Sequence, residues 1–283
     1  MRKNIFMLAT LLLSTLLYSC TSITKSTPEP LLDSNTPGSL SGFVKIDRQF
    51  SKSGKVCFEL YGKYPTELIA AKYIPIQPDK SYRLSFRLRS LSATLPASAY
   101  LGLRMYDKNH REMRMVHVKS FPNTTTHLTA AAKAGSKELF VAKNSMWPQI
   151  KACVITFNVK NDYSDLPNFD FSPRIAKVID HGQEYRVVLA APLVRSYPQG
   201  TRVRLQSPWG APLYDLAAGW IPSQWKEFSA KLRGIAKHGA PKTSFWPGTK
   251  YVKPFIWFGN WNRKPKKGAK LLVEDFKFTL EQH

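Results

Sequence analysis

From residue 81 to 89 (SYRLSFRLR) the residue type alternates without a break: Tyr82, Leu84, Phe86 and Leu88 on one side, Arg83, Ser85, Arg87 and Arg89 on the other. A repeat of two belongs to a β-strand and not to a helix, and it marks a strand buried on one face only. Residues 98–106 (SAYLGLRMY) repeat the pattern, with Ala99, Leu101, Leu103 and Met105 opposite Tyr100, Gly102, Arg104 and Tyr106. Runs at 112–118, 225–232, 251–258 and 271–280 read as further strands, and helical periodicity hardly appears. Connections carry Pro, Asn, Asp and Gly, as in IQPDKS and in YDKNHRE, the latter a hairpin signal. Strands with one apolar face need a second sheet to cover it, so the chain is expected to be all-β, built as an antiparallel sandwich.

At the N-terminus Arg2 and Lys3 precede an apolar run from Ile5 to Leu17. That run has the length of a signal-peptide core and falls short of the roughly 20 residues of a membrane span. It ends in Leu17-Tyr18-Ser19-Cys20, which resembles the lipobox of bacterial lipoproteins, with Tyr18 where a smaller residue is usual. The resemblance implies that residues 1–20 are a signal peptide and that Cys20 is acylated as the new N-terminus. The protein would then be lipid-anchored in a bacterial cell envelope, facing the periplasm or the exterior. The alternative is an ordinary cleaved signal with a chance cysteine. Residues 21–42, rich in Ser, Thr, Pro and Gly, read as a flexible tether.

The 42 Lys and Arg against 19 Asp and Glu give a net charge of +23. Such a surface attracts polyanions: acidic or sulfated glycans, lipopolysaccharide phosphates or nucleic acid. The alternative is a diffuse cationic surface that serves only solubility. No helix-turn-helix, zinc-finger or RNP-type signature is present, which argues against a nucleic-acid partner. Beyond Cys20, Cys57 and Cys153 lie in strand-like apolar runs, either as buried thiols or as a pair in an oxidising compartment.

Three phrases occur in order: KYIPIQPDKSYRLSFRLRS, PSQWKEFSAKLRG and KLLVEDFKFTL. Together they resemble the carbohydrate-binding jelly-roll modules of the galactose-binding-like superfamily. The likeness implies a jelly-roll β-sandwich made of residues 43–136 and 205–283. Asp275 matches the acidic position of the closing strand in that family, while SGFVKI lacks the acidic residue that often completes a structural calcium site. No cofactor is otherwise expected. Residues 137–204 fall outside the family pattern and read as an inserted small β subdomain of four or five strands, with an exposed loop NDYSDLPNFDFSP. Asp162, Asp165 and Asp170 in that loop fit neither an EF-hand nor a general acid/base pair, leaving turn formation or metal binding.

No metalloprotease histidine spacing, nucleophile elbow or cysteine-nucleophile signature is present. The sequence therefore leans away from an enzyme. The richer signal is aromatic and cationic. Trp246, Tyr251, Trp257 and Trp261 crowd the segment SFWPGTKYVKPFIWFGNWNRKPKKG, and Arg87, Arg104 and Tyr106 lie on the polar faces of the early strands. Indole and phenol rings stack on sugar C–H faces, and guanidinium groups grip carboxylate or sulfate. These seven residues are the candidate ligand contacts, against the alternative that the rings seal a sandwich end. The expected function is non-catalytic binding of a polysaccharide, preferentially anionic. A structural or adhesive envelope protein that contacts lipid or protein through its basic surface is the second reading, and a polysaccharide-degrading enzyme the third. Nothing in the sequence speaks to oligomeric state.

Overall fold

A computed structural model describes residues 30–34, 40–42, 45–46, 58–61, 66–91, 98–258 and 270–281. The chain is an all-β jelly-roll sandwich that carries an inserted β subdomain. In the first sheet the strands run Lys226–Arg233, Ser81–Ser90, Lys270–Glu281, Phe58–Tyr61 and Lys45–Ile46, with Leu32–Asp33 also paired to Lys270–Glu281. The second sheet runs Leu213–Trp220, Ser98–Tyr106, Tyr251–Phe258, Thr66–Ala70 and Leu40–Gly42. The last four strands in chain order lie alternately in the two sheets, so each adds an apolar face to the same interior.

The alternating residues of 81–89 and 98–106 pack as their pattern requires. Tyr82, Leu84, Phe86 and Leu88 are buried, and so are Ala99, Leu101, Leu103 and Met105 from the facing sheet. Val252, Ile256 and Phe258 join them, with Phe276 and Phe278 from the closing strand. Tyr82 stacks on Phe278 with ring centroids 5.2 Å apart. Burying such side chains stabilises by about 1.5–3 kcal/mol each, the main term holding the sandwich together. The hairpin expected at YDKNHRE is present: Tyr106 pairs with Glu112, and the Asp107 carboxylate accepts the backbone N–H groups of Asn109 and Arg111 at 2.8 and 2.9 Å.

Residues 112–118 depart from the single strand expected of them. Glu112–Met113 is a strand, but Met115–Val118 is one helical turn. The backbone N–H groups of Met115 and Val116 turn away from the sheet to donate to Ala211 and Trp209 carbonyls, both 2.9 Å. This is where the chain leaves the sandwich, and Leu213–Trp220, which the sequence did not announce as a strand, is where it returns.

Between these points lies a six-stranded sheet in the order Thr126–His127, Arg202–Gln206, Val154–Phe157, Phe171–His181, Glu184–Leu189 and Glu138–Ala142. It encloses its own core of Leu139, Val141, Trp147, Ile155, Phe157, Val187, Val203 and Leu205. Cys153 sits in that core as a free thiol, with burial pushing its pKa up to about 11. Cys57 lies outside the described residues.

The loop 160–170 is the keystone of the insert. Asp162 accepts the Ser164 N–H in a local turn, Asp170 accepts the Tyr197 hydroxyl at 2.6 Å, and Asp165 forms a buried ion pair with Arg204 at 2.8 Å. The three aspartates hold the loop rather than converge. The same loop docks the insert on the sandwich. Tyr163 stacks on His238 at 4.7 Å. The Pro167 ring fits against Gly248, where an added Cβ would come 2.3 Å from Pro167 Cδ.

Candidate functional site

Among the described residues, the outward side of the second sheet carries the exposed rings of Tyr73 and Trp220 and the half-buried rings of Tyr100, Tyr251 and Trp257. Strand register sets this out. Tyr106 lies opposite Tyr251, Arg104 opposite Lys253, Gly102 opposite Phe255 and Tyr100 opposite Trp257. On the neighbouring strand Trp220 lies opposite Ser98, two residues from Tyr100 and therefore on the same side. Trp257, Tyr100 and Tyr214 form one aromatic cluster, with centroids 5.7 Å between Tyr100 and Trp257 and 6.2 Å between Tyr214 and Trp257. Trp220 flanks it and is 61% exposed. A second cluster sits six residues along the central strand, about 20 Å away at the usual rise per residue. There Tyr73 meets Tyr106 at 4.8 Å and His110 at 4.4 Å, His110 meets Tyr251 at 4.4 Å, and Lys253 Nζ lies 4.6 Å over the Tyr73 ring.

Between the clusters lies a polar bridge. Arg104 donates to both oxygens of Glu67 at 2.7 Å and to Glu112 Oε1 at 2.9 Å, and its guanidinium lies 5.6 Å over the Phe255 ring. The Glu67 hydrogen bonds raise the Arg104 pKa further above its ordinary value. Burial, reinforced by the Glu112 charge, pushes the Tyr106 phenol up to about 12, so it stays a neutral hydroxyl.

Gly102 makes the surface flat. An added Cβ would stand 2.4 Å from both the Leu213 carbonyl oxygen and Phe255 Cζ, and the backbone oxygen cannot step aside. Gly102→Ala is expected to lift the Phe255 ring and strain the strand pairing, with a loss of about 1–3 kcal/mol. Equilibrium urea unfolding measures it; an unchanged midpoint would show the contact to be soft.

The seven ring and guanidinium positions expected from sequence divide sharply. Trp257 and Tyr251 lie on the common face, half-buried, and Tyr106 joins them at its rim, 8% exposed. Trp246 is a correction: it is fully buried in the sandwich core, with its indole N–H donating to the Pro241 carbonyl. The bulky ring after Ser244-Phe245 is packed among the core residues of the sandwich and offers no face to a ligand. Arg104 is on the face but held by two carboxylates, so it is not an open anion grip. Arg87 lies on the opposite sheet, paired to Glu274 at 2.6 Å and stacked over Trp225 at 5.5 Å. Sheet alternation assigns it a solvent side, but the wrong sheet. Trp261 and Cys20 lie outside the described residues. Tyr73, His110, Tyr214 and Trp220 were not singled out from sequence. The first two come from turns and the last two from the returning strand, and only cross-strand pairing brings them together.

Asp275, at a bulge in the closing strand with φ 52°, lies with its carboxylate oxygens 3.9 Å from Arg87 and 3.8 Å from Lys277. Among the described residues no three His, Cys, Asp or Glu side chains gather as a metal site. Among them, too, no helix is long and apolar enough to cross a membrane.

His117, beside this face, is buried between sandwich and insert. Its ring lies 4.3 Å from Phe169, and its Nδ1 accepts the Arg114 backbone N–H at 3.0 Å, which places the proton of the neutral ring on Nε2. Burial, with the Arg114 and Arg111 charges adding, depresses its pKa from 6.5 to about 4. The unfolded chain therefore binds the proton first, and stability is lost as pH falls from about 6.5 through about 4. Fully developed, the effect is about 3 kcal/mol. Urea midpoints at neutral and acid pH check this: the slope should flatten in His117→Gln, and an identical slope in both proteins would exclude His117 as its source.

No family model matches the chain, and no curated protein matches its sequence. Among solved structures, the CBM22-1 xylan-binding domain from Paenibacillus barcinonensis Xyn10C matches over 90% of this chain and 97% of that one, with 7% identity and a TM-score of 0.38. TmCBM61 in complex with β-1,4-galactotriose matches over 86% of this chain and 87% of that one, with 10% identity and a TM-score of 0.28. At such identities and scores neither match carries an argument about ligand, and the jelly-roll assignment stands on the sheets and their strand order.

Proposed function

We propose that this chain binds a polysaccharide without cleaving it, on the outward face of the Ser98–Tyr106 and Tyr251–Phe258 sheet. The observation that carries the reading is the row of rings on that face, from Trp220, Tyr100 and Trp257 at one end to Tyr251 and Tyr73 at the other. Rings set along one strand direction suit an extended chain of sugars, whose apolar faces stack on aromatic planes while hydroxyls meet Arg104, Glu67 and Glu112 between them. The +23 net charge supports a preference for anionic polysaccharide through long-range attraction, since the arginine on the face itself is neutralised. Acylation at Cys20 would hold this face at a bacterial envelope membrane.

Affinity electrophoresis through gels containing neutral and uronate-bearing polysaccharides tests the proposal. Retention of the native protein is expected, weakened in Trp220→Ala and Tyr100→Ala and unchanged in Trp225→Ala on the other sheet. Retention of a uronate polymer should fall with added salt more than that of a neutral one. Equal mobility of all variants in every gel would remove the reading.

A further inference from the structure

A cavity of about 630 Å³ lies where the insert meets the sandwich. Its walls are unlike the ring-lined sheet face. Phe169, Phe171 and Pro173 from the insert give it an apolar side, and Arg111 and Arg114 from the sandwich line it together with Arg174 from the insert. Charge at this cavity is unevenly matched. Arg111 is held by Asp107 at 2.8 Å. Arg114 reaches only Glu112 Oε2, at 3.6 Å, and that carboxylate already accepts from Arg104. Arg174 lies 5.7 Å over the Trp209 ring, with no carboxylate partner among the described residues. Trp209 itself is 58% exposed. One guanidinium without a carboxylate partner, Arg174, and a second, Arg114, that shares Glu112 with Arg104 are brought to one cavity by separate parts of the fold and leave it short of negative charge.

We propose that this junction cavity is a second binding site, which takes a carboxylate-bearing sugar ring: its carboxylate drawn to Arg174 and Arg114, its apolar face against Phe171 and Pro173, since the Phe169 ring is already covered by Arg111 at 4.2 Å and His117 at 4.3 Å. The anion site stands on the cavity alone; the choice of a sugar acid as its occupant rests on the proposed sheet-face function. Glu112 belongs to both places, lining the cavity while bonding Arg104 on the face, so the two sites adjoin. The insert then has a role that the sandwich alone cannot fill, since Arg174, Phe171 and Pro173 all belong to it.

The experiment follows tryptophan fluorescence of the full chain during titration with digalacturonate, with neutral galactobiose and with sodium sulfate, and Trp209→Phe identifies the signal of Trp209 among the seven tryptophans. A saturable change with digalacturonate is expected, at least tenfold weaker in Arg174→Gln and in Arg114→Gln, and preserved in Trp257→Ala. Preservation in that variant separates this site from the sheet face, whose failure would leave the digalacturonate response intact. No response to digalacturonate, an undiminished response in both arginine variants, or an equally tight response to sulfate or galactobiose would each overturn the proposal. Circular dichroism of each variant confirms that the fold is kept, because Arg174 is exposed enough to be replaced without loss of packing.

Discussion

Asp165→Ala is expected to cost about 3–5 kcal/mol and to melt the insert well below the rest of the protein. Arg204 and Asp165 are 1% and 4% exposed, with Nη2 2.8 Å from Oδ2. The carboxylate also accepts the Lys160 backbone N–H at 3.0 Å and the Asn168 amide at 3.1 Å. Its removal takes an acceptor from three donors at once, and the Arg204 guanidinium among them is buried. The guanidinium left behind keeps only the Lys160 carbonyl at 3.3 Å and the Tyr163 ring 4.8 Å beneath it. Since 1 kcal/mol moves the midpoint of a small domain by about 4–8 °C, the insert should lose at least about 12 °C. Replacing both partners, as Asp165→Leu with Arg204→Met, should be far milder, because two apolar side chains leave no buried charge. Differential scanning calorimetry decides. A single substitution no worse than the double one would show that water reaches the pair.

Trp257→Ala is expected to weaken polysaccharide binding by roughly thirtyfold, the effect of losing about 2 kcal/mol from a central stacking ring. Its stability cost should be modest, because the ring is half-buried and packs on Tyr100 and Tyr214 at the surface. Trp246→Ala makes the contrast. That ring is wholly inside the core, so its loss opens a cavity costing about 3–5 kcal/mol while removing no ligand contact. Isothermal titration alongside thermal melting separates the two. If Trp246→Ala lowered affinity at a temperature where it remained folded, or Trp257→Ala left affinity unchanged, the assignment of roles would be reversed.

The two tryptophans also show how far a one-dimensional pattern reaches. Residue period fixes which side of a strand a residue occupies, and at 81–89 and 98–106 the residues read as apolar-side are the buried ones, although Tyr106 on the other side, and Phe255 on the same outward side of 251–258, are buried as well. Trp246 lies just before such a strand, in a loop, where no period operates; its burial is decided by the sandwich core that it joins, with its backbone N–H on Met105 Sδ and its indole N–H on the Pro241 carbonyl.

Arg104 and Arg87 mark a second boundary. Both were legible as outward-facing cations, but whether a cation is available depends on what stands across from it. Glu67 and Glu112 reach Arg104 from two other strands, and Glu274 reaches Arg87 from the closing one. Glu112 is 8 residues from Arg104, but separations of 37 for Glu67 and 187 for Glu274 leave no local trace.

By itself the sequence determined that the chain is all-β, that a foreign stretch interrupts its sandwich, and that aromatic and cationic side chains stand on the polar faces. Alternation is a local property, set by the pleat of each strand. Only the tertiary structure decided which rings share a face, which charges cancel, and that the insert closes a cavity against the sandwich. Those depend on strand order and register, which are fixed by burial of the two cores rather than by any one segment.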